Sequence, residues 1–185
     1  MPFTFTPGPI EGLVIITPRV FADERGFFME SYKASDFAAA GIQETFVQDN
    51  HSRSARGTLR GLHFQKAPYA QGKLVRVTRG AVWDVAVDLR PGSVTFGKWF
   101  GIELSETNKI LLWIPPGFAH GFVALEDNTE LQYKCTAEYH APSDAGIRWD
   151  DPDLAIPWPD LGIPYILSEK DKKLPLLKNI KKDML

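Results

Sequence analysis

The segment from residue 52 to residue 65 contains the residue types with the clearest chemistry, because it places one histidine and several arginines between glycines. An imidazole titrates near neutral pH and transfers protons, whereas a guanidinium group binds phosphate oxygens in a bidentate geometry. The combination of His63 with Arg60 and its neighbouring arginines therefore predicts an anionic ligand beside a proton-transfer group. A second histidine, His120, follows in another segment of glycine and aromatic residues.

A histidine that acts as a base also needs a carboxylate to orient its ring and to stabilise the imidazolium ion. Asp84 and Asp171 are the two candidates for His63. Asp84 lies in a predicted strand and could point into a polar cavity, whereas Asp171 fits a helix cap. Ordinary roles on a strand face and in a helix cap explain both residues equally well, so the sequence leaves this choice open.

Two further side chains suit the other half of a proton-transfer reaction. Tyr133 carries a phenol, which keeps its proton at neutral pH and can donate it opposite a base. Lys73 directly follows Gly72 and could place its ammonium group against a developing oxyanion. The alternatives are an amphipathic core position for Tyr133 and an exposed strand end for Lys73.

Several residues suit a phosphorylated ligand that carries a base. Arg25 and Arg60 each lie beside a glycine, which lets the backbone approach a ligand closely. Aromatic rings stack on bases, and amides read their edges, although most phenylalanines of a barrel belong to its core. The candidates for these two tasks are Phe21, Phe27, Tyr139, Gln48 and Asn50.

The composition indicates one globular unit. A chain of 185 residues with 44% hydrophobic residues buries one substantial core, so we expect a single domain over residues 1–185. The net charge of -2 argues against a general nucleic-acid binder. The sequence lacks a signal-peptide pattern and a membrane-length apolar run, and its single cysteine, Cys135, fits a reducing compartment. We therefore expect a cytoplasmic protein that binds neither nucleic acid nor membranes.

Glycines and prolines separate short runs rich in Val, Ile, Phe, Trp and Thr, a pattern typical of an all-β sandwich or barrel. Strands are predicted at residues 13–16, 26–32, 73–77, 81–89, 96–104, 110–114 and 130–139. Gly80 predicts a hairpin between the third and fourth of these strands. Alternation places Trp83, Val85 and Val87 on one face and Asp84, Ala86 and Asp88 on the other. The same parity rule places Tyr133 and Tyr139 on one face.

Helices are predicted at only two places. Residues 33–40 form the better candidate, with Ser35 as its cap and Gly41 as its end. After about residue 141 the composition shifts to Asp, Pro and Trp, and we expect this segment to wrap the barrel. Within it, Ser168 and Asp171 have the spacing of a capping box and predict a short helix before Pro175. The basic tail at residues 178–182 is interpreted as a solvated end.

Six segments together resemble one family over nearly the whole chain and in the family's order. They are DERGFF at residues 23–28, FVQDNHS at 46–52, RGLHFQ at 60–65, QGKLVR at 71–76, FAHGF at 118–122 and LSEKD at 167–171. The family is that of dTDP-4-dehydrorhamnose 3,5-epimerase, the third enzyme of dTDP-L-rhamnose synthesis. The resemblance implies a cupin-type jelly-roll barrel or sandwich with a few short peripheral helices, usually a homodimer.

The segments around His63 and His120 also resemble the two signature stretches of cupins. Metal-binding cupins usually carry His-x-His and a nearby Glu in the first stretch, whereas Gly61 and Gln65 flank His63 here. Two histidines alone make a poor transition-metal site. We therefore expect no metal and no other cofactor.

The family resemblance implies a role for each matched residue. It implies that His63 is the base with Asp171 as its partner, that Tyr133 is the acid, and that Lys73 stabilises an enolate. The implied substrate contacts are Arg25 and Arg60 for the diphosphate, Phe27, Glu30, Gln48, Asn50 and Tyr139 for thymidine, His120 for the sugar, and Asp144 and Lys170 near the C-terminus. Phe21 would reach a neighbouring subunit.

The implied substrate is dTDP-4-dehydro-6-deoxy-D-glucose, whose C4 ketone acidifies the protons on both C3 and C5. One site could therefore invert both carbons through enolates, without a redox cofactor. One alternative is an epimerase that acts at a single carbon or on another nucleotide-linked ketosugar. The other is a cupin that binds a sugar nucleotide or a metal without turnover.

Overall fold

The computed structural model describes residues 2–180 and is built mainly from β-strands. The strands are β1 (Phe3–Pro7), β2 (Val14–Pro18), β3 (Phe21–Asp23), β4 (Gly26–Phe28), β5 (Gln48–Ser54), β6 (Leu59–Gln65), β7 (Lys73–Arg79), β8 (Ala81–Asp88), β9 (Trp99–Ser105), β10 (Leu111–Ile114), β11 (Phe118–Ala124), β12 (Thr129–Cys135) and β13 (Asp144–Gly146). The described part also contains helix α1 (Ala34–Ala39) and 3-10 helices at Ala141–Ser143, Asp171–Lys173 and Leu177–Asn179. The prediction of an all-β protein with a few short helices is confirmed.

Two antiparallel sheets face each other across a shared core. The six-stranded sheet has the order β1-β2-β10-β7-β12-β5, and the five-stranded sheet has the order β13-β6-β11-β8-β9. Val75 and Leu112 from the first sheet pack against Ala86 and Phe122 from the second. This arrangement is the jelly-roll sandwich that the resemblance implied.

Both sheets are also covered on their outer faces, which explains why β11 lacks the polar alternation of a one-sided strand. All seven residues of β11 are buried. The chain after β13 packs Leu154 and Trp158 on the outer face of the five-stranded sheet. Helix α1 packs Phe37 against Leu74 on the outer face of the six-stranded sheet.

The predicted hairpin between β7 and β8 is wrong, because these strands belong to different sheets. β7 pairs with β10 and β12, whereas β8 pairs with β9 and β11. A single residue, Gly80, separates the two strands, and the tightest common hairpins need two. Gly80 has a φ of 70° and carries the chain from one sheet to the other. The predicted alternation in β8 is confirmed, since Val85 packs outward and Ala86 inward.

Several predicted boundaries need correction. The strand predicted at residues 26–32 ends at Phe28, and the strand predicted at 130–139 ends at Cys135, so strand parity does not govern Tyr139. The strand predicted from residue 96 begins at Trp99. Helix α1 exists, but Ser35 lies inside it and Lys33 occupies the cap position without a side-chain hydrogen bond. Residues 181–185, which include the last two residues of the basic tail, lie outside the described residues.

Gly61 on β6 lies against Gly121 on β11, where there is no room for a side chain. It has a φ of 134°, and a Cβ atom at this position would lie 2.6 Å from the Cα atom of Gly121. We expect Gly61→Ala to lower the free energy of unfolding by about 2–4 kcal/mol, from left-handed strain together with overpacking against backbone. Denaturant unfolding measures the change.

Gly92→Ala provides the matched control. Gly92 also has a positive φ, 80°, but nothing lies within 4 Å of the place that an added methyl group would occupy. This variant should lose only about 1 kcal/mol from backbone strain. Equal losses in the two variants would show that the close contact between β6 and β11 contributes nothing.

Candidate active site

A cavity of about 600 Å³ lies between the two sheets and contains most of the predicted site residues. Strands β5, β7 and β12 contribute one wall, strands β6 and β11 contribute the facing wall, and the C-terminal segment around residues 166–171 adds a third side. The predicted residues that line it are Asn50, Arg60, His63, Lys73, His120, Tyr133, Tyr139, Asp144, Lys170 and Asp171. No group of three or more His, Cys, Asp or Glu side chains within residues 2–180 is arranged to hold a metal ion.

His63 on β6 is bonded to Asp171, with 2.6 Å between its Nε2 atom and the Oδ1 atom of the carboxylate. Asp171 is only 3% exposed. Burial favours its neutral form, but the hydrogen bond and charge of His63 outweigh burial and hold the pKa of Asp171 below its ordinary value. An ionised carboxylate only accepts hydrogen bonds, so a neutral His63 donates its Nε2 proton and keeps its lone pair on Nδ1. The structure thus answers the open choice between Asp84 and Asp171.

The turn that carries Asp171 shows how the predicted capping box is used. The backbone N–H of Asp171 donates to the hydroxyl oxygen of Ser168 at 3.1 Å, which is half of such a box. The predicted short helix follows as the 3-10 helix Asp171–Lys173. The carboxylate of Asp171 does not complete the box, because it is bonded to His63 instead.

His120 on β11 forms a second histidine–carboxylate pair beside the first. It is the cross-strand partner of His63, so both rings leave their strands on the same face of the sheet. The Nε2 atom of His120 lies 2.8 Å from the Oδ2 atom of Asp84, which is fully buried. The sequence placed Asp84 near a polar cavity, but its pairing with His120 was missed because the two residues are far apart in the chain.

Lys73 and Tyr133 occupy the facing wall. The Nζ atom of Lys73 lies 5.9 Å from the centre of the Tyr133 ring. Lys73 is 8% exposed, and loss of hydration lowers the pKa of its ammonium group below the ordinary value. Burial likewise raises the pKa of the Tyr133 phenol, so this group keeps its proton at neutral pH. Two histidines on one wall therefore face a lysine and a proton-bearing phenol on the other.

Polar side chains surround the outer part of the cavity. The hydroxyl of Tyr139 donates to the Oδ2 atom of Asp144 at 3.0 Å, and Lys170 forms an ion pair with the same carboxylate. Arg60 is exposed, and its Nε atom donates to the hydroxyl of Ser54 at 3.3 Å. These groups leave cationic and aromatic surface available to a charged ligand.

Four predicted ligand contacts are not among the residues that line the cavity. Arg25 is bound to Asp23 on the exposed hairpin of β3 and β4, which pairs with neither large sheet. Phe27, on the same hairpin, is 58% exposed with the Nζ atom of Lys109 at 3.7 Å from its ring centre. Glu30 follows β4 and has a buried carboxylate oxygen without a hydrogen-bond partner in residues 2–180. Gln48 instead accepts from the backbone N–H of Tyr139 at 2.8 Å.

Some lining residues were given no role from the sequence. Gln71 and Phe122 line the cavity, and the sequence pattern assigned them no role although both lie inside segments that carried the resemblance. Their spacing to His120 and Lys73 was the available signal. Ser52 also lines the cavity and ends another of those segments, whereas Thr58 lines it without a distinguishing pattern.

The fold and the cavity together define a cupin-type barrel with a site suited to proton transfer. The family model described as dTDP-4-dehydrorhamnose 3,5-epimerase matches residues 7–179, and the chain belongs to this family. The enzyme of that name from Escherichia coli (strain K12) is 58% identical over 166 residues, which cover 89% of each chain. No helix in residues 2–180 has the length and apolar character needed to span a membrane.

Solved structures give the same picture. The dTDP-6-deoxy-D-glucose-3,5-epimerase of Legionella pneumophila Philadelphia 1, crystallised with dTDP-4-keto-L-rhamnose, superposes with a TM-score of 0.95 at 49% identity and covers 99% of this chain and 97% of its own. A 3'-monoepimerase from Streptomyces bikiniensis, crystallised with dTDP-quinovose, has a TM-score of 0.88 at 34% identity, covering 93% and 87%.

We expect the buried ammonium group of Lys73 to lower the stability of the folded protein, even though its charge suits the chemistry of the cavity. A buried ammonium group without an ion-pair partner is costly, and apolar replacements of buried charges are often stabilising. We expect Lys73→Met to raise the free energy of unfolding by about 1 kcal/mol or more. Denaturant unfolding at neutral pH measures the change.

Lys134→Met is the matched control for this experiment. Lys134 lies on β12 and forms a partly exposed ion pair with Asp49 at 3.0 Å. Its replacement should change stability by less than about 1 kcal/mol. A Lys73→Met protein that is less stable than the parent would refute the proposed cost of this buried charge.

Proposed function

We propose that this protein epimerises dTDP-4-dehydro-6-deoxy-D-glucose at C3 and C5 to dTDP-4-dehydro-L-rhamnose, in the synthesis of dTDP-L-rhamnose in the cytoplasm. The observation that carries the proposal is the arrangement of the two walls. A carboxylate-bound histidine faces a protonated phenol across the cavity, with a buried ammonium group beside the phenol. Inversion of a carbon needs removal of a proton on one side and its return on the other, and this arrangement supplies both groups.

His63 acts as the base and Asp171 holds it. The Nε2–H of the ring is directed to the carboxylate, so Nδ1 is the basic atom that takes the proton from the carbon beside the ketone. Asp171, ionised and buried, then stabilises the imidazolium ion. Because C3 and C5 both flank the same ketone, one base serves both carbons once the sugar is repositioned.

Lys73 and Tyr133 complete the reaction from the facing wall. Removal of either proton moves negative charge to the C4 oxygen, where the buried Lys73 ammonium stabilises it. The high pKa of the Tyr133 phenol keeps its proton available for donation to the opposite face of the carbon. The substrate's own ketone is the electron sink, so the balanced step needs only proton transfer.

The remaining cavity residues bind the substrate. Arg60 contacts the diphosphate, and His120 contacts the sugar at the base of the cavity. Asn50 and Tyr139 contact thymidine, supported by Gln48 through its hydrogen bonds to both of them. Asp144 and Lys170 form the ion pair at the outer part of the site.

Solvent deuterium tests the reaction directly. The protein is incubated with dTDP-4-dehydro-6-deoxy-D-glucose in deuterated water, and NMR locates the label. We expect label at both C3 and C5, and a loss of at least about 100-fold in exchange for His63→Asn with little change in dTDP binding. Label at one carbon alone would instead assign a single-centre epimerase, the activity named for the Streptomyces bikiniensis relative.

His140→Asn is the control for the loss of an imidazole. His140 stacks on Tyr69 with 3.8 Å between ring centres and is not among the residues that line the cavity. Its replacement should leave deuterium exchange within about twofold of the parent. Unchanged exchange in His63→Asn would remove His63 from the role of base.

The active form is a homodimer in which the hairpin of β3 and β4 completes the partner's site. Strand β5 is an edge of the six-stranded sheet and borders the cavity, so its backbone can pair with another chain. The hairpin exposes Phe21, Phe27 and Phe28 to 47%, 58% and 67%. Pairing of this hairpin with β5 of a second copy would bury these rings and bring Arg25, Phe27 and Glu30 to the substrate.

Mixing two impaired variants tests this assembly. His63→Asn and Arg25→Ala proteins are combined under conditions that allow subunit exchange. If the hairpin acts on the partner's site, each mixed dimer contains one site with both native residues, and about a quarter of the parental activity per subunit returns. Light scattering checks that the proteins are dimers.

The pair His63→Asn and Tyr133→Phe is the control mixture. Both residues belong to the cavity of one chain, so no mixed dimer contains a fully native site. Activity should therefore stay at the level of the separate variants. Absence of recovery in the Arg25 mixture as well, despite verified exchange, would mean that the hairpin does not complete a neighbouring site.

A further inference from the structure

Asp84 is a fully buried carboxylate that the proposed reaction steps do not use. It lies on β8, and its Oδ2 atom is bonded to the Nε2 atom of His120 at 2.8 Å. Its Oδ1 atom is buried and has no hydrogen-bond partner within residues 2–180. A buried carboxylate that is only half satisfied is costly, which makes a purely structural explanation weak.

The nearby Lys73 provides a reason for a negative charge at this depth. Lys73 is almost completely buried, and among residues 2–180 no carboxylate oxygen lies within ion-pair distance of its ammonium group. The charge of Asp84 acts on Lys73 in the direction that favours the protonated ammonium. A carboxylate in direct contact with Lys73 would occupy its ammonium group. A carboxylate behind His120 instead favours the protonated form of Lys73 and leaves the ammonium group free to contact the substrate.

We propose that Asp84 is a positioning residue of the reaction, which fixes the ring of His120 and supplies the buried negative charge that balances the Lys73 ammonium. This inference rests on the proposed function of the cavity. Asp84 is not among the residues that line the cavity, so it acts through His120 and Lys73 and makes no contact with the sugar. The hydrogen bond with Asp84 engages the Nε2 atom of His120 and so fixes the orientation of the ring.

The pH dependence follows from the charges around Lys73. Burial lowers the pKa of Lys73, and the negative charge of Asp84 opposes this effect. Removal of that charge lowers the pKa further, so the ammonium is lost at a lower pH and stabilisation of the enolate ends earlier as pH rises. Besides Asp84, the ionisable groups that act on Lys73 or line the same cavity are Cys135 and Tyr133 on β12, His120 on β11, Arg60 and His63 on β6, His51 on β5, Asp144 on β13, Tyr139, and Lys170 and Asp171 in the C-terminal segment.

Among these groups, burial raises the pKa of both Tyr133 and Cys135. Tyr133 and Cys135 therefore lose their protons at a higher pH than usual, whereas Lys73 loses its proton at a lower pH than usual. The alkaline limb of kcat should consequently report Lys73, and this limb is the feature that Asp84 controls.

Asp84→Asn tests the proposal, because it removes the charge and keeps the shape and an oxygen that can accept from His120. We expect kcat to fall about 10- to 100-fold, the usual cost of losing a carboxylate behind a working histidine, with KM within about twofold. The alkaline limb of kcat should move to lower pH. Steady-state kinetics over the pH range and a dTDP binding titration measure these quantities.

Asp88→Asn is the matched control. Asp88 is also a fully buried aspartate on β8, but it binds Arg90, Ser93 and Thr95 away from the cavity. This variant should be less stable and should keep the parental pH limb and kcat. A purely structural role for Asp84 would lower the melting temperature and leave the pH limb of kcat in place, and this result would overturn the proposal.

Failure of this inference can be separated from failure of the proposed function. If the parent protein exchanges deuterium at C3 and C5 and Asp84→Asn retains its kcat and pH limb, only the role of Asp84 is wrong. If the parent exchanges neither carbon, the proposed function is wrong and the inference falls with it.

Discussion

The hydrogen bond between His63 and Asp171 joins two parts of the chain that are 108 residues apart. It connects β6, inside the five-stranded sheet, to the C-terminal segment that lies over one side of the cavity. Asp171 is buried, and its charge is tolerated because His63 is hydrogen-bonded to its Oδ1 atom and Ser168 accepts from its backbone N–H. The same contact therefore orders the site and anchors the segment that surrounds it.

A second constraint is the balance of buried charge between the two walls. His63 and His120 are neighbours across the β6–β11 ladder, and each is held by its own carboxylate. Lys73 faces them with little solvent and without a direct ion pair. The ammonium group of Lys73 therefore has no anionic partner at ion-pair distance among residues 2–180 of the free protein. In the proposed reaction it would stabilise the negative charge that develops on the sugar oxygen.

The hairpin of β3 and β4 carries two of the four predicted contacts that do not line the cavity. Arg25 and Phe27 belong to a matched segment, yet they lie on a surface extension that pairs with neither large sheet of their own chain. Their positions are understandable if the chemistry of one cavity is shared between two copies. A single chain brings the proton-transfer groups together but leaves some of the implied nucleotide contacts outside the cavity.

The amino-acid sequence by itself determined the all-β class, the placement of Asp84 on the strand face opposite Val85, and the family, because alternation, turn residues and short motifs are local properties of a chain. It did not determine which strands pair. A turn over residues 78–80 would give a hairpin, whereas pairing with distant strands extends β7 to Arg79 and leaves Gly80 to carry the chain to the other sheet. The choice between Asp84 and Asp171 also depended on tertiary structure. Each carboxylate could serve a histidine, and only the packing of β8 against β11 and of the C-terminal turn against β6 brought each pair within hydrogen-bonding distance.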